Sequence, residues 1–251
     1  MIYFVGAGCG AVDLITLRGK QLLEKADVVI YAGSLVNPEL LQFVKPDCEI
    51  YDSSRLYLDE IIDIMQKAES ELKLTVRLHT GDPSVYGAIR EQMDRLNQLN
   101  IYYEICPGVS SFCGAAAALK AEYTLPNVSQ TVILTRMSGR TPVPERESIK
   151  NLASIHATMI IFLSAGMAEK LTEELISGGY SADTPAAIVY KASWSDEKIC
   201  RCTVGTLAQT AQENQIHKHA LITIGDFLGD DYALSKLYDA NFETEFRKAK
   251  L

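Results

Sequence analysis

Three short clusters of glycine, aspartate, proline and serine each follow an apolar run. They are Gly6-Ala7-Gly8-Cys9-Gly10 after Ile2-Tyr3-Phe4-Val5, Thr80-Gly81-Asp82-Pro83 after a run ending Val76-Arg77-Leu78-His79, and Pro107-Gly108-Val109-Ser110-Ser111 after Ile105-Cys106. Such residues form tight turns, leave backbone donors and acceptors uncovered and let main chain approach a ligand closely. At the strand tips of an open α/β sheet they fall where these sheets bind ligands, beyond the carboxyl ends of the strands. Three such loops on one edge would surround a single crevice with hydrogen-bonding groups.

Two other constellations invite more specific chemistry. Gly6-Ala7-Gly8-Cys9-Gly10-Ala11 satisfies a loose dinucleotide fingerprint. The next strand ends Tyr31-Ala32-Gly33-Ser34 without the carboxylate that would hold a ribose, and Val12-Asp13-Leu14-Ile15-Thr16 delays the following helix. A nicotinamide site is therefore disfavoured. Cys200-Arg201-Cys202 and His217-Lys218-His219 hold metal-ligating types, but not at a common zinc spacing, and the cysteines fit strand alternation instead. No metal is expected.

The elements that must position the loops follow from periodicity. In the first half, strands are expected over 2–5, 26–31, 74–78 and 102–106, with helices over 17–25, 58–72, 86–96 and 114–119. The second half reads as strands over 131–135, 158–163, 186–190, 198–203 and 221–224, with helices over 168–177 and 206–212. The expected fold is α/β, in two domains spanning 1–122 and 123–251, joined near Pro126.

The 251-residue chain is 47% hydrophobic and 22% charged, as in a globular protein. A net charge of −8 argues against a nucleic-acid partner. No apolar run reaches the roughly 20 residues of a membrane span, six cysteines are too few for a disulfide scaffold, and Met1 leads directly into a strand. A cytoplasmic protein is expected.

The Val5-Gly6-Ala7-Gly8 opening, Asp13-Leu14-Ile15-Thr16-Leu17-Arg18-Gly19, the Thr80-Gly81-Asp82-Pro83 loop and Pro107-Gly108-Val109-Ser110-Ser111 together resemble the tetrapyrrole methylases over nearly the whole chain. The resemblance implies two α/β domains, S-adenosyl-L-methionine held in the cleft between them and a homodimer. Tyr31-Ala32-Gly33-Ser34-Leu35-Val36, the 135–145 segment from Thr135-Arg136-Met137 to Pro144-Glu145, and Val189-Tyr190-Lys191-Ala192-Ser193-Trp194 resemble the branch that methylates carbon 11 of precorrin-4 or cobalt-precorrin-4. Uroporphyrinogen-III methylases usually carry Asp-Arg where this chain has Gly33-Ser34, so no general base is carried over and the catalytic residue stays unassigned.

By resemblance, cofactor contacts fall at Val12, Thr80, Gly81, Asp82, Val85, Ser110, Ser111, Ser164 and Ala192. Val12 replaces a proline common in relatives. For an anionic tetrapyrrole, Arg136, Arg140 and Arg146 offer forks for carboxylates, and Tyr86, Tyr190 and Trp194 offer flat apolar faces. Other readings keep the fold with a different acceptor (another ring position or a protein side chain), or describe a non-catalytic tetrapyrrole carrier.

Overall fold

In the computed structural model, residues 1–250 are described; the side chain of Ser34 and residue Leu251 lie outside the described residues. The chain divides into two compact units, Met1–Ala115 with Lys191–Glu197, and Ala116–Tyr190 with Lys198–Leu251. The division thus falls earlier than the expected boundary after residue 122, within a continuous helix. Seven residues of the second half are counted with the first unit.

The first unit is built on strands β1 (Ile2–Gly6), β2 (Val28–Tyr31), β3 (Glu49–Asp52), β4 (Thr75–His79) and β5 (Tyr103–Cys106). They form one parallel sheet in the order β3-β2-β4-β1-β5. Alternate side chains build two cores. Val5, Val29, Val76 and Leu78 pack with Leu22 and Leu23 of α1 (Leu17–Lys25), while Ile2, Phe4, Val28 and Ile30 pack with Ile61, Ile62 and Met65 of α2 (Leu58–Ser70) and Leu96 of α3 (Arg90–Gln98). Burial of both faces is the condition under which a parallel sheet is stable. Each fully buried aliphatic side chain contributes roughly 1.5–3 kcal/mol.

Strand β3 escapes the sequence pattern because only Ile50 and Tyr51 are apolar between two acidic residues, and it pairs on one side only, with β2. The helix expected over 86–96 begins only at Arg90, because Tyr86 and Ala88 adopt left-handed backbone at φ 56° and 50° and hold 83–89 as a compact turn. Conversely, the Ala-rich helix α4 starts early, spanning Ser111–Leu119.

The second unit holds β6 (Val132–Arg136), β7 (Thr158–Phe162), β8 (Pro185–Tyr190), β9 (Lys198–Thr203) and β10 (Ala220–Ile224) in the order β6-β7-β10-β8-β9. Only the β6/β7 pair is parallel. Helices α5 (Ile149–Ala153), α6 (Ala168–Ser177) and α7 (Leu207–Glu213) cover a core of Met159, Ile161, Leu171, Leu175, Ile188, Leu207 and Ile222. The short α5 carries too few residues to display a period, and the sequence pattern passes over it.

Candidate functional site

In the first sheet, β4 lies between β2 and β1, and the chain runs from β1 outward to β2 but from β4 to β5 on the other side of β1. The tips of β1 and β4 are therefore the switch point, where opposed connections leave a crevice. The loops following them are joined. Gly8 donates to the Gly81 carbonyl at 3.2 Å and Gly81 donates back to Gly8 at 2.9 Å, while the Ala7 amide reaches the His79 carbonyl at 2.7 Å.

The third loop, after β5, is fixed to the same point. Asp82 Oδ2 accepts from the Gly108 amide at 2.8 Å, and Oδ1 accepts from the Ser84 amide at 2.9 Å and from the Ser84 hydroxyl. Burial raises the Asp82 pKa, but the hydrogen bonds from Ser84 and Gly108 outweigh it and hold the carboxyl below its ordinary value. Gly6 and Gly108 meet backbone on backbone: a Cβ on Gly108 would lie 2.2 Å from the Gly81 carbonyl oxygen and 2.7 Å from Gly6 Cα. The Ser110 carbonyl accepts the Cys113 amide at 3.0 Å, starting α4 with its N-terminus beside Gly81.

Of the sequence candidates, Val12, Thr80, Gly81, Asp82, Val85, Tyr86, Ser110, Ser111, Ala192 and Trp194 all belong to the first unit. Ser110 and Ala192 are buried, Val12 packs against the core beside α1, and Val85 donates to the Asp82 carbonyl at 3.2 Å. Tyr86 is half exposed on the turn before α3. The Thr80 hydroxyl oxygen is buried without a hydrogen-bond partner, an acceptor and donor at the switch point for which a ligand atom is the natural complement. Asp82 differs from expectation in one respect: both carboxylate oxygens are already engaged in building the loops. Trp194 lies against Gly10, so part of its indole is turned to the glycine loop.

Five candidates belong to the second unit: Arg136, Arg140, Arg146, Ser164 and Tyr190, the last at the end of β8. The Ser164 hydroxyl is fully buried, accepting from the Met137 amide at 2.9 Å and donating to the Phe162 carbonyl at 2.7 Å, which ties the ends of β6 and β7. Arg136 turns its guanidinium inward on its own loop, donating to the carbonyls of Met137, Thr141 and Pro142 at 3.2, 3.0 and 2.9 Å. Arg140 is exposed, as is Arg146, which pairs with Glu147 at 3.4 Å. Among the described residues, no group of three or more His, Cys, Asp or Glu is placed to hold a metal ion, and no helix is long and apolar enough to cross a membrane.

Two polar residues behind the site escaped the sequence reading. Arg77 and His79 are buried on one face of β4. Arg77 donates from Nε to Gln92 Oε1 and from Nη1 to the Ile30 carbonyl, both at 3.1 Å. Burial pushes the Arg77 pKa down to about 10, and burial with the Arg77 charge beside it pushes His79 down to about 3. Alternation does mark residues 77 and 79 as an inward pair, but an arginine and a histidine in that register read as surface. The links Asp82–Gly108 and Ser193–Ala11 span 26 and 182 residues and leave no local signal.

Fold and loops together define a two-unit α/β protein with three interlocked loops at the switch point of a parallel sheet. The chain belongs to the tetrapyrrole (corrin/porphyrin) methylases, whose family model matches residues 1–208. It is 55% identical over 249 residues to the cobalt-precorrin-4 C(11)-methyltransferase of Methanocaldococcus jannaschii, covering 99% of this chain and 96% of that protein. It is 44% identical over 248 residues to the precorrin-4 C(11)-methyltransferase of a Sinorhizobium species, covering 98% of each. A crystal structure of a cobalt-precorrin-4 methyltransferase superposes with TM-score 0.89 at 47% identity, covering 91% of this chain and 96% of that one. A dinucleotide reading fails on topology as well, since β4 separates the β2 tip from the glycine loop of β1.

Proposed function

We propose that the protein is an S-adenosyl-L-methionine-dependent methyltransferase that methylates carbon 11 of precorrin-4 or cobalt-precorrin-4 in cobalamin biosynthesis. The observation that carries the reading is the interlocked set of three loops at the β1/β4 switch point, with the Thr80 hydroxyl buried and unpartnered among them. The names of the relatives support the acceptor. The cofactor ligands proposed are Val12, Thr80, Gly81, Asp82, Val85, Ser110, Ser111 and Ala192; the resemblance adds Ser164, whose hydroxyl and carbonyl are both engaged within the second unit. For Asp82, the role is to shape the loops as well as to border the ligand.

When bound, the cofactor supplies a methyl group already activated on a sulfonium. The protein's contribution is then placement: loops that cannot shift relative to one another hold the ligand in one pose, and fixing donor against acceptor can be worth roughly 7–11 kcal/mol. The acceptor carbon is electron-rich through conjugation with a pyrrole nitrogen. Transfer would spread the sulfonium's positive charge onto the acceptor's conjugated ring system, and a site closed to water favours that dispersal. Arg140 and Arg146 keep exposed guanidinium groups for substrate carboxylates, and Arg136 shapes the loop that bears Arg140. Tyr86 and Trp194 are proposed to offer faces to the macrocycle. The same reading carries a cytoplasmic enzyme acting as a homodimer, for which sedimentation equilibrium should give twice the 27.7 kDa chain mass.

Calorimetric titration with S-adenosylhomocysteine, with NAD as control, tests the cofactor. Saturable binding of the first alone is expected. Incubation with labelled S-adenosylmethionine and each tetrapyrrole, followed by mass spectrometry and NMR of the product, tests the acceptor. Label at carbon 11 is expected; label elsewhere would transfer the reading to another acceptor, and ring binding without turnover would make the protein a carrier.

A further inference from the structure

The Lys191–Glu197 segment joins β8 to β9 and is counted with the first unit. It is a strained strap. Lys191 and Ser193, on either side of the buried Ala192, adopt left-handed backbone at φ 47° and 66°. A residue with a Cβ adopts such a conformation only where its surroundings over-determine it, at a cost on the order of 1–3 kcal/mol.

Two kinds of contact supply that determination. Within the strap, the Trp194 amide donates to the Lys191 carbonyl at 3.0 Å, the Ser193 amide to Glu197 Oε2 at 2.6 Å, and Lys191 Nζ pairs with Asp196 at 2.6 Å. Against the glycine loop, Ser193 Oγ accepts from the Ala11 amide at 2.9 Å and lies 3.5 Å from Cys9 Sγ. The Trp194 indole occupies the space over Gly10. A Cβ there would lie 2.2 Å from Trp194 Cδ1 and 2.7 Å from the Ala192 carbonyl oxygen, and Gly10 itself has φ 148°. Asn37 Nδ2 holds the Gly10 carbonyl from another direction at 2.9 Å. Gly10 is thus the seat of an indole.

We propose that Ser193 and Trp194 are positioning residues: they latch the strap onto the glycine loop and so fix Ala192 beside it, and cofactor affinity depends on that latch. The inference rests on the cofactor reading above. Because the strap is strained, releasing either latch lets residues 191–193 relax, and Ala192 leaves its place.

Trp194 is the chain's single tryptophan, so its emission reports the latch directly. The experiment compares wild type with Ser193→Ala, Trp194→Ala and Trp194→Phe by S-adenosylhomocysteine calorimetry, far-ultraviolet circular dichroism and, where tryptophan remains, acrylamide quenching. Ser193→Ala and Trp194→Ala are expected to keep their circular dichroism but bind about tenfold more weakly or worse. Trp194→Phe should recover to within about threefold of wild type, because a phenyl ring covers the same face of Gly10. Ser193→Ala should also leave Trp194 more open to acrylamide, and saturating ligand should protect it in wild type. Wild-type affinity in Ser193→Ala and Trp194→Ala, or a Trp194→Phe protein as weak as Trp194→Ala, overturns the latch while leaving the cofactor reading intact. Wild-type protein that binds no S-adenosylhomocysteine overturns that reading and the latch with it.

Discussion

The Asp82 carboxylate accepts the Gly108 amide at 2.8 Å, bridging the loops after β4 and β5 across the intervening strand β1. One oxygen faces Gly108 and the other faces Ser84, so each has its own consequence. Asp82→Ala leaves the Gly108 and Ser84 amides without their acceptor, at roughly 1–3 kcal/mol for each one that water does not reach. Asp82→Asn keeps one carbonyl oxygen but turns an NH2 towards one of two donors. Thermal unfolding and S-adenosylhomocysteine titration should both rank wild type above Asn above Ala. An alanine variant that melts and binds as wild type would mean that the loops hold together without the carboxylate.

A companion expectation concerns Gly108, where the added atom would meet the Gly81 carbonyl oxygen and Gly6 Cα, both rigid main chain. Gly108→Ala forces the two loops apart and should cost about 1–3 kcal/mol or more, with cofactor affinity lost in parallel. Denaturant unfolding of Gly108→Ala beside Gly139→Ala makes the check. At Gly139 the nearest atoms are Met167 side-chain atoms at 3.5 and 3.6 Å, so that variant should unfold close to wild type.

Residues 2–6 and 17–25 illustrate what the sequence makes legible. An unbroken apolar run and a helix bearing Leu22 and Leu23 on one face are local patterns, and they fold as their periods indicate. The three glycine loops were legible for the same reason, each being a change of composition at the end of such a run. Illegible were the relations between loops. Nothing near Asp82 announces Gly108, and Ser193 gives no sign that it meets Ala11, because those contacts are set by the order β4-β1-β5 and by the return of Lys191–Glu197 to the first unit. Arg136 shows a different limit. Residue type suggests an anion fork, whereas five-donor geometry serves equally well to gather three carbonyls of its own loop.

That use of Arg136 separates it from Arg140. Arg136→Ala releases the Thr141 and Pro142 carbonyls and unfastens the loop, so KM for the tetrapyrrole should rise at every ionic strength while cofactor affinity is unchanged. Arg136→Lys should not rescue it, since an ammonium lacks the planar fork. Arg140→Ala leaves the loop fastened and removes only an exposed charge, so its KM effect should shrink at high salt. Steady-state kinetics at low and high salt tests the pair, and an Arg136→Lys enzyme with wild-type KM would remove the loop-fastening role.

His79 makes a prediction about stability alone. Its imidazole is 3% exposed, stacks on Phe4 with centroids 6.1 Å apart, leaves Nε2 unpartnered and has the Arg77 guanidinium on the same strand face with Gln92 beyond it. Burial leaves an imidazolium unsolvated and the Arg77 charge repels it, so the folded pKa drops to about 3 from the ordinary 6.5. Between those values the unfolded chain binds a proton that the folded one does not, so stability is complete above about pH 6.5 and is lost as pH falls towards 3. From pH 6.5 to pH 5 the loss from this one group is about 1.6 kcal/mol. His79→Phe keeps an aromatic ring against Phe4 and has no proton to gain, so its unfolding free energy in urea should fall less over that interval by about the same amount. Wild-type and His79→Phe curves that run parallel from pH 7 to pH 5 would show that the folded protein accepts the proton after all, and that Arg77 is not the neighbour that forbids it.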